Sequence, residues 1–205
     1  MILVAATGNP GKLRELRALL DDPALELRSL ADYPELDPVE ETGESFLANA
    51  RLKAHAVARH AGLPALADDS GLEVDALGGG PGVRSARFAA DAGAGHGDAA
   101  NVALLLDRLR TVPASERTAR FRCAIVVALP DRRELVAEGT CEGRIAAAPR
   151  GSGGFGYDPV FLWGTRTFAE IGAEEKDRVS HRAQAIAVLR PRLAAFLDTS
   201  SASPR

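Results

Sequence analysis

Apolar positions along the chain fall into runs whose period changes, and each period implies a different element. Ile2 to Ala6 is an uninterrupted apolar run, the pattern of a short buried strand. It feeds the polar turn Thr7–Lys12, after which Leu13, Leu16, Leu19 and Leu20 recur at helical spacing between Arg and Glu. Leu25 to Leu30 predicts a second strand, followed by a polar loop through Tyr33, Pro34 and Pro38. A clearer helix carries Phe46, Leu47, Ala50, Ala54, Val57, Ala58 and Ala61 on one face. Thr42 or Ser45 can cap its start, and Gly62 with Pro64 ends it.

Pro64 to Ala67 then predicts a short strand, followed by DDSG and the alternating LEV of a further strand, until a glycine run from Gly78 to Gly82 breaks the chain. Residues 89–97, AADAGAGHG, are expected to form a mobile loop, and the next helix shows Val102, Leu105, Leu106 and Leu109 on one side. Phe121 to Leu129 reads as a central strand that PDRR turns back into Glu134–Cys141 as an antiparallel hairpin. A glycine-dense stretch, GSGGFGYDP, leads into the strand VFLW. A last helix from about Ser180 to Leu197 is expected to be kinked or interrupted by Pro191. No repeat is visible, and the sum is a mixed α/β sandwich with parallel and antiparallel pairing.

Composition narrows the classes. A chain of 205 residues makes one domain or one body of two lobes; residues 1–197 are assigned to it and 198–205 to a disordered tail. A net charge of −3 with no basic stripe argues against nucleic-acid binding but leaves room for a small anion. No run approaches the ~20 apolar residues of a membrane span, and MILVAATG lacks the parts of a signal peptide. A cytoplasmic protein without membrane partners is the expectation. Cys123 and Cys141 have no metal-ligand spacing and read as reduced core residues, and the four histidines make no zinc set.

The basic residues are lopsided: 22 are arginine and only Lys12, Lys53 and Lys176 are lysine. Guanidinium and ammonium exchange freely on a solvated surface, but not where a compact charge must meet one phosphate oxygen. All three lysines lie in polar, motif-like surroundings. Lys12 ends ATGNPGK, a turn whose glycines admit close approach and whose following helix offers free N–H groups to an anion. It is not a Walker A loop, having Ala6 and Leu13 where Gly and Ser or Thr are needed. An ordinary helix start with a surface lysine would look the same in isolation.

DDSG and the EE pair at 40–41 supply carboxylates. Adjacent residues of an extended segment face opposite ways, so one Asp from the strand and one Glu from the loop would suit Mg²⁺ completed by water and phosphate oxygens. In GSGGFGYDP an aromatic ring surrounded by glycines suits a flat base, though a loose loop beside a core Phe is equally consistent. In KDRVSHR, His181 and Arg182 adjoin a helix start.

Taken in order, TGNPGK, EETGESFLANARLKA, ADDSGLEVDALGGGPGVRSARF, GGFGYDPVF and EEKDRVSHRAQA resemble the inosine triphosphate pyrophosphatase family over nearly the whole chain. The resemblance implies an α/β fold of two lobes around a long mixed sheet, a nucleotide cleft and a homodimer. It implies Mg²⁺-dependent hydrolysis of ITP, dITP or XTP to the monophosphate and pyrophosphate, clearing deaminated purines from the nucleotide pool. Carried over by residue, Thr7, Gly8, Asn9, Pro10, Gly11 and Lys12 would bind the triphosphate, with Lys53 near it. Glu40 and Asp69 would hold the metal, Asp69 also serving as general base. Ser70 would touch substrate, Phe155 would stack on the base, and Gly156, Tyr157 and Asp158 would continue that wall. Lys176, His181 and Arg182 would complete the base and sugar site. Two other classes fit the same residues: a house-cleaning enzyme for modified pyrimidine nucleotides, and a nucleotide-binding module without catalysis.

Overall fold

The structure is a computed structural model that describes residues 1–198. The first strand, β1 (Ile2–Ala5), passes through the turn into α1 (Pro10–Leu19), and β2 (Glu26–Ser29) follows. The long helix α2 (Phe46–Ala61) precedes β3 (Ala65–Val74). A short α3 (Phe88–Asp91) and α4 (Gly97–Arg108) lead to the long strands β4 (Thr118–Ala128) and β5 (Glu134–Ile145). The chain ends with β6 (Phe161–Trp163), β7 (Arg166–Thr167), α5 (Ala173–Val179) and α6 (His181–Asp198). The strands form a seven-stranded sheet in the order β2-β1-β3-β4-β5-β6-β7. β1 runs parallel to β2 and to β3, with Val4 opposite Arg28 and Ala65, whereas β6 is antiparallel to β5 and β7. The mixed pairing is the expected one.

The chain divides into two compact units. The first comprises Met1–Asp69, Cys123–Gly139 and the residues from Arg182 on. Its core gathers Leu3, Leu16, Leu66, Ile125, Ile186 and Leu189, all at most 3% exposed. The second comprises Ser70–Arg122 and Thr140–His181, around Leu72, Leu105, Ile145, Phe161 and Phe168. Each core is built where apolar strand residues meet the apolar stripe of a helix.

Four local expectations change. DDSG does not separate two strands: β3 runs unbroken from Ala65 to Val74, because its polar residues find buried partners instead of leaving the sheet. Part of AADAGAGHG is ordered as α3, closed by bonds from the Ala92, Gly93 and Ala94 N–H groups to Ala89 and Ala90 carbonyls. Pro191 does not interrupt α6; buried Leu189 and Leu193 on either side secure the helix against the loss of one backbone bond. Asp198 closes α6, one residue past the expected domain limit, and the rest of the expected tail lies outside the described residues. Among the described residues no helix is long and apolar enough to cross a membrane.

Candidate active site

In the first unit the turn after β1 is organised by its own polar side chains. Asn9 caps α1 by accepting from the Lys12 N–H, Thr7 Oγ accepts from the Asn9 N–H at 3.2 Å, and Pro10 takes the first helical position. A Cβ placed on Gly8 would meet nothing within 4 Å, so the space above the turn is open. Lys12 reaches back from this turn to β3, donating to the Asp68 carboxylate at 2.6 Å and to its carbonyl at 3.3 Å.

A second ammonium arrives from α2. Ser45, not Thr42, caps that helix, accepting from the Ala48 N–H. Asn49 and Lys53 are four residues apart and share one helix face. Asn49 Nδ2 donates to Asp69 Oδ2 at 3.3 Å, while Lys53 Nζ donates to Asp69 Oδ1 at 2.7 Å and to the Asp68 carbonyl at 3.2 Å. Asn49 Oδ1 accepts from the Gly43 N–H at 2.8 Å, and a Cβ on Gly43 would stand 2.7 Å from that oxygen. Glycine is therefore required for the loop to approach the helix. The loop brings Glu41 to Lys53 at 2.8 Å and leaves Glu40 exposed. The carboxylate that the structure pairs with Lys53, beside Asp69, is thus that of Glu41.

Behind Asp68 lies a buried guanidinium. Arg182 is 1% exposed; its Nε donates to Asp68 Oδ2 at 2.7 Å, its Nη2 faces Asp68 Oδ1 at 3.4 Å, and its Nη1 donates to Glu15 Oε2. Cys123 Sγ stands 3.1 Å from Asp68 Oδ2. Burial alone would raise the Asp68 carboxyl, but Arg182 and Lys12 outweigh it and hold it well below the usual carboxylate range. Asp69 goes the other way: burial pushes it up, and Lys53 with Lys12 offset only part of that. Lys53 is raised despite its burial, because Asp69 and Glu41 favour its charged form. That pair is lopsided, with both partners shifted upward.

The second unit holds the aromatic stretch. In Gly151–Pro159, Gly154 has φ +73°, and a Cβ there would overlap the Asp158 carboxylate. Asp158 accepts from the Phe155 N–H at 2.9 Å and from Lys176 Nζ at 2.5 Å. The same ammonium lies 4.7 Å from the centroid of the half-buried Phe155 ring. Gly156 N donates to Asp98 Oδ2 at 2.6 Å and the Tyr157 hydroxyl to the Ser85 carbonyl at 2.9 Å, tying the loop to its surroundings. His181 stacks on Phe121 at 4.8 Å, and Ser70 is half-buried on β3.

The residues proposed from sequence thus fall into two sets. Thr7 to Lys12, Glu40, Lys53, Asp69 and Arg182 lie in the first unit, and Ser70, Phe155 to Asp158, Lys176 and His181 in the second. Within the first unit Arg182 is paired with Asp68 and Glu15. Sequence reasoning missed Glu15 and Asn49, whose only signal was a polar residue turned into a helix's buried side. Among the described residues no cluster of three or more His, Cys, Asp or Glu is poised for a metal. The donor set at Lys53 is carboxylate oxygen from Glu41 and Asp69, which suits a hard divalent cation that keeps water and phosphate in its shell.

Comparison with known proteins places the chain among relatives alike over most of its length. A dITP/XTP pyrophosphatase of Geobacillus kaustophilus is 53% identical over 189 residues, covering 91% of each chain. A second, of Geobacter sulfurreducens, is 50% identical over 93% of this chain and 96% of its own. A solved HAM1 protein of Coxiella burnetii superposes with a TM-score of 0.84 at 39% identity, covering 95% of this chain and 99% of that one. A family model described as the Ham1 family matches residues 3–192, and with these likenesses spanning nearly its whole length the chain belongs to the Ham1 family.

Proposed function

We propose that the protein hydrolyses the purine nucleoside triphosphates ITP, dITP and XTP to the monophosphate and pyrophosphate, with Mg²⁺, removing damaged purines from the nucleotide pool. The observation that carries this reading is the convergence of two scarce lysines, Lys12 and Lys53, on adjacent aspartates beside an open glycine turn. The naming of relatives as dITP/XTP pyrophosphatases supports it.

Thr7 to Lys12 would bind the triphosphate through the turn's backbone and the ammonium, with Lys53 offsetting charge on the pyrophosphate leaving group. Asp69, whose basicity burial raises, would orient and deprotonate the water that attacks the α-phosphorus. Asp69 and Glu41, or Glu40 beside it, would hold Mg²⁺, which when bound supplies charge neutralisation at the phosphates. Phe155 would stack on the base, Ser70, Gly156, Tyr157 and Asp158 would line its surroundings, and Lys176, His181 and Arg182 would supply donors toward base and sugar. Donors aimed at a 6-oxo group would favour hypoxanthine and xanthine over adenine. The reading extends to a cytoplasmic homodimer whose partner is the nucleotide alone.

The test is to identify the phosphate species released from ITP, XTP, dITP, ATP and GTP with and without Mg²⁺. Pyrophosphate and monophosphate from the first three, dependent on Mg²⁺, are expected; orthophosphate release, or ATP turned over as fast as ITP, would refute the reading.

A further inference from the structure

Side chains fasten the aromatic loop of the second unit from its buried side and from its exposed side. On the buried side the Phe155 N–H donates to the carboxylate of Asp158, and the Tyr157 hydroxyl donates to the Ser85 carbonyl. On the exposed side the Gly156 N–H donates to Asp98 Oδ2 at 2.6 Å, across 58 residues of sequence. Asp98 is exposed, as is the loop from Gly151 to Gly154. A charged carboxylate accepting from a backbone N–H is among the stronger hydrogen bonds.

The helix that carries Asp98 is anchored independently of that loop. In α4, Val102 and Leu105 are buried in the core of the second unit. Asn101 accepts from the Ala89 N–H at 2.8 Å and donates to the Ala86 carbonyl at 3.2 Å. The loop is its opposite in character, with left-handed backbone at Gly151, Gly154 and Gly156. A glycine-rich backbone has many conformations to lose, so a bond to a fixed element removes more freedom here than in an ordinary loop. Gly156 directly follows Phe155, and holding its N–H restricts the ring beside it.

Resting on the pyrophosphatase reading, we propose that Asp98 is a positioning residue for base binding: its bond to Gly156 holds the Phe155 ring in the pose that stacks on the purine. It acts through the loop and touches neither base nor phosphate. Its effect is to lower the cost of ordering the loop when a base binds, a cost that pyrophosphate, having no base, does not meet. Loss of the bond should therefore separate the two products, weakening the nucleoside monophosphate and sparing pyrophosphate. A residue that merely begins α4 would not separate them.

The test uses the full chain, with IMP and inorganic pyrophosphate as calorimetric probes beside steady-state ITP hydrolysis and a thermal melt. Asp98→Ala should weaken IMP about fivefold and raise KM for ITP by a similar factor, while kcat and the pyrophosphate Kd stay within about twofold. Asp98→Asn keeps an oxygen that can accept from the Gly156 N–H, and should bring IMP back to within about twofold of the parent. A folded Asp98→Ala that binds IMP as the parent does, or that loses IMP and pyrophosphate equally, overturns the proposal. So does an Asp98→Asn variant with IMP weakened as far as about fivefold, which keeps the idea open to refutation even if Asp98→Ala fails to fold. A parent that hydrolyses no nucleoside triphosphate refutes the pyrophosphatase reading and this proposal with it. An active parent beside an indifferent Asp98→Ala refutes the proposal alone.

Discussion

Burial acts on Asp68 and Asp69 alike, yet their carboxyl groups move in opposite directions, because β3 turns them to opposite faces. Asp68 meets Arg182 and Lys12 and is held down; Asp69 meets Lys53 and Asn49 and stays raised. The consequence for stability has a definite sign. A carboxyl lowered by folding stabilises the protein fully above its unfolded value, about 3.9, and loses that contribution as pH falls through its folded value. Asp68→Asn should therefore cost about 3 kcal/mol near pH 7, where it strips a buried guanidinium of one partner. The gap between wild type and variant should hold constant above about pH 5 and narrow below about pH 4. Urea melts from pH 3 to 7 measure it; a gap that widens in acid would contradict the assignment. Asp69, being raised, contributes with the opposite sign: its share is present in acid and declines as pH rises through its folded value.

At the scale of elements, the site depends on spacing. Four residues along α2 bring Asn49 and Lys53 to the two oxygens of Asp69, and Gly43 lets the preceding loop close on that helix. In the second unit Gly154 permits the bend that seats Asp158 under Lys176. Gly154→Ala would force its methyl group into the Asp158 carboxylate in a left-handed backbone conformation, at a cost on the order of 2–4 kcal/mol. A lower Tm and a KM for ITP raised tenfold or more are expected, with kcat less affected; a parental KM would show that the loop plays no part in binding.

Much of this was legible in the residues. The scarcity of lysine singled out Lys12, Lys53 and Lys176, and each stands against a carboxylate in the structure. Helical periods located α1, α2 and α4, and the Gly62 stop of α2 adopts the left-handed conformation expected of it. The unbroken course of β3 was hidden, because two aspartates in mid-strand are tolerable only with partners distant in sequence. Glu15 was hidden for the same reason: its partner, Arg182, is 167 residues away.

For the whole molecule, the two units carry different chemistry. The first holds the lysines, carboxylates and open turn, and the second an aromatic ring over an ammonium with a hydrogen-bonded glycine loop. The likeness to the dITP/XTP pyrophosphatase of Geobacillus kaustophilus extends over 91% of the chain, so it takes in both units. The claim on which the account rests is that Asp69 acts on the attacking water while β3 and its neighbours hold without it. The direct measurement is ITP hydrolysis by Asp69→Asn beside its thermal melt. A cooperative transition with turnover reduced by about 10²–10⁴-fold is the outcome this account predicts; near-parental turnover in the folded variant would contradict it.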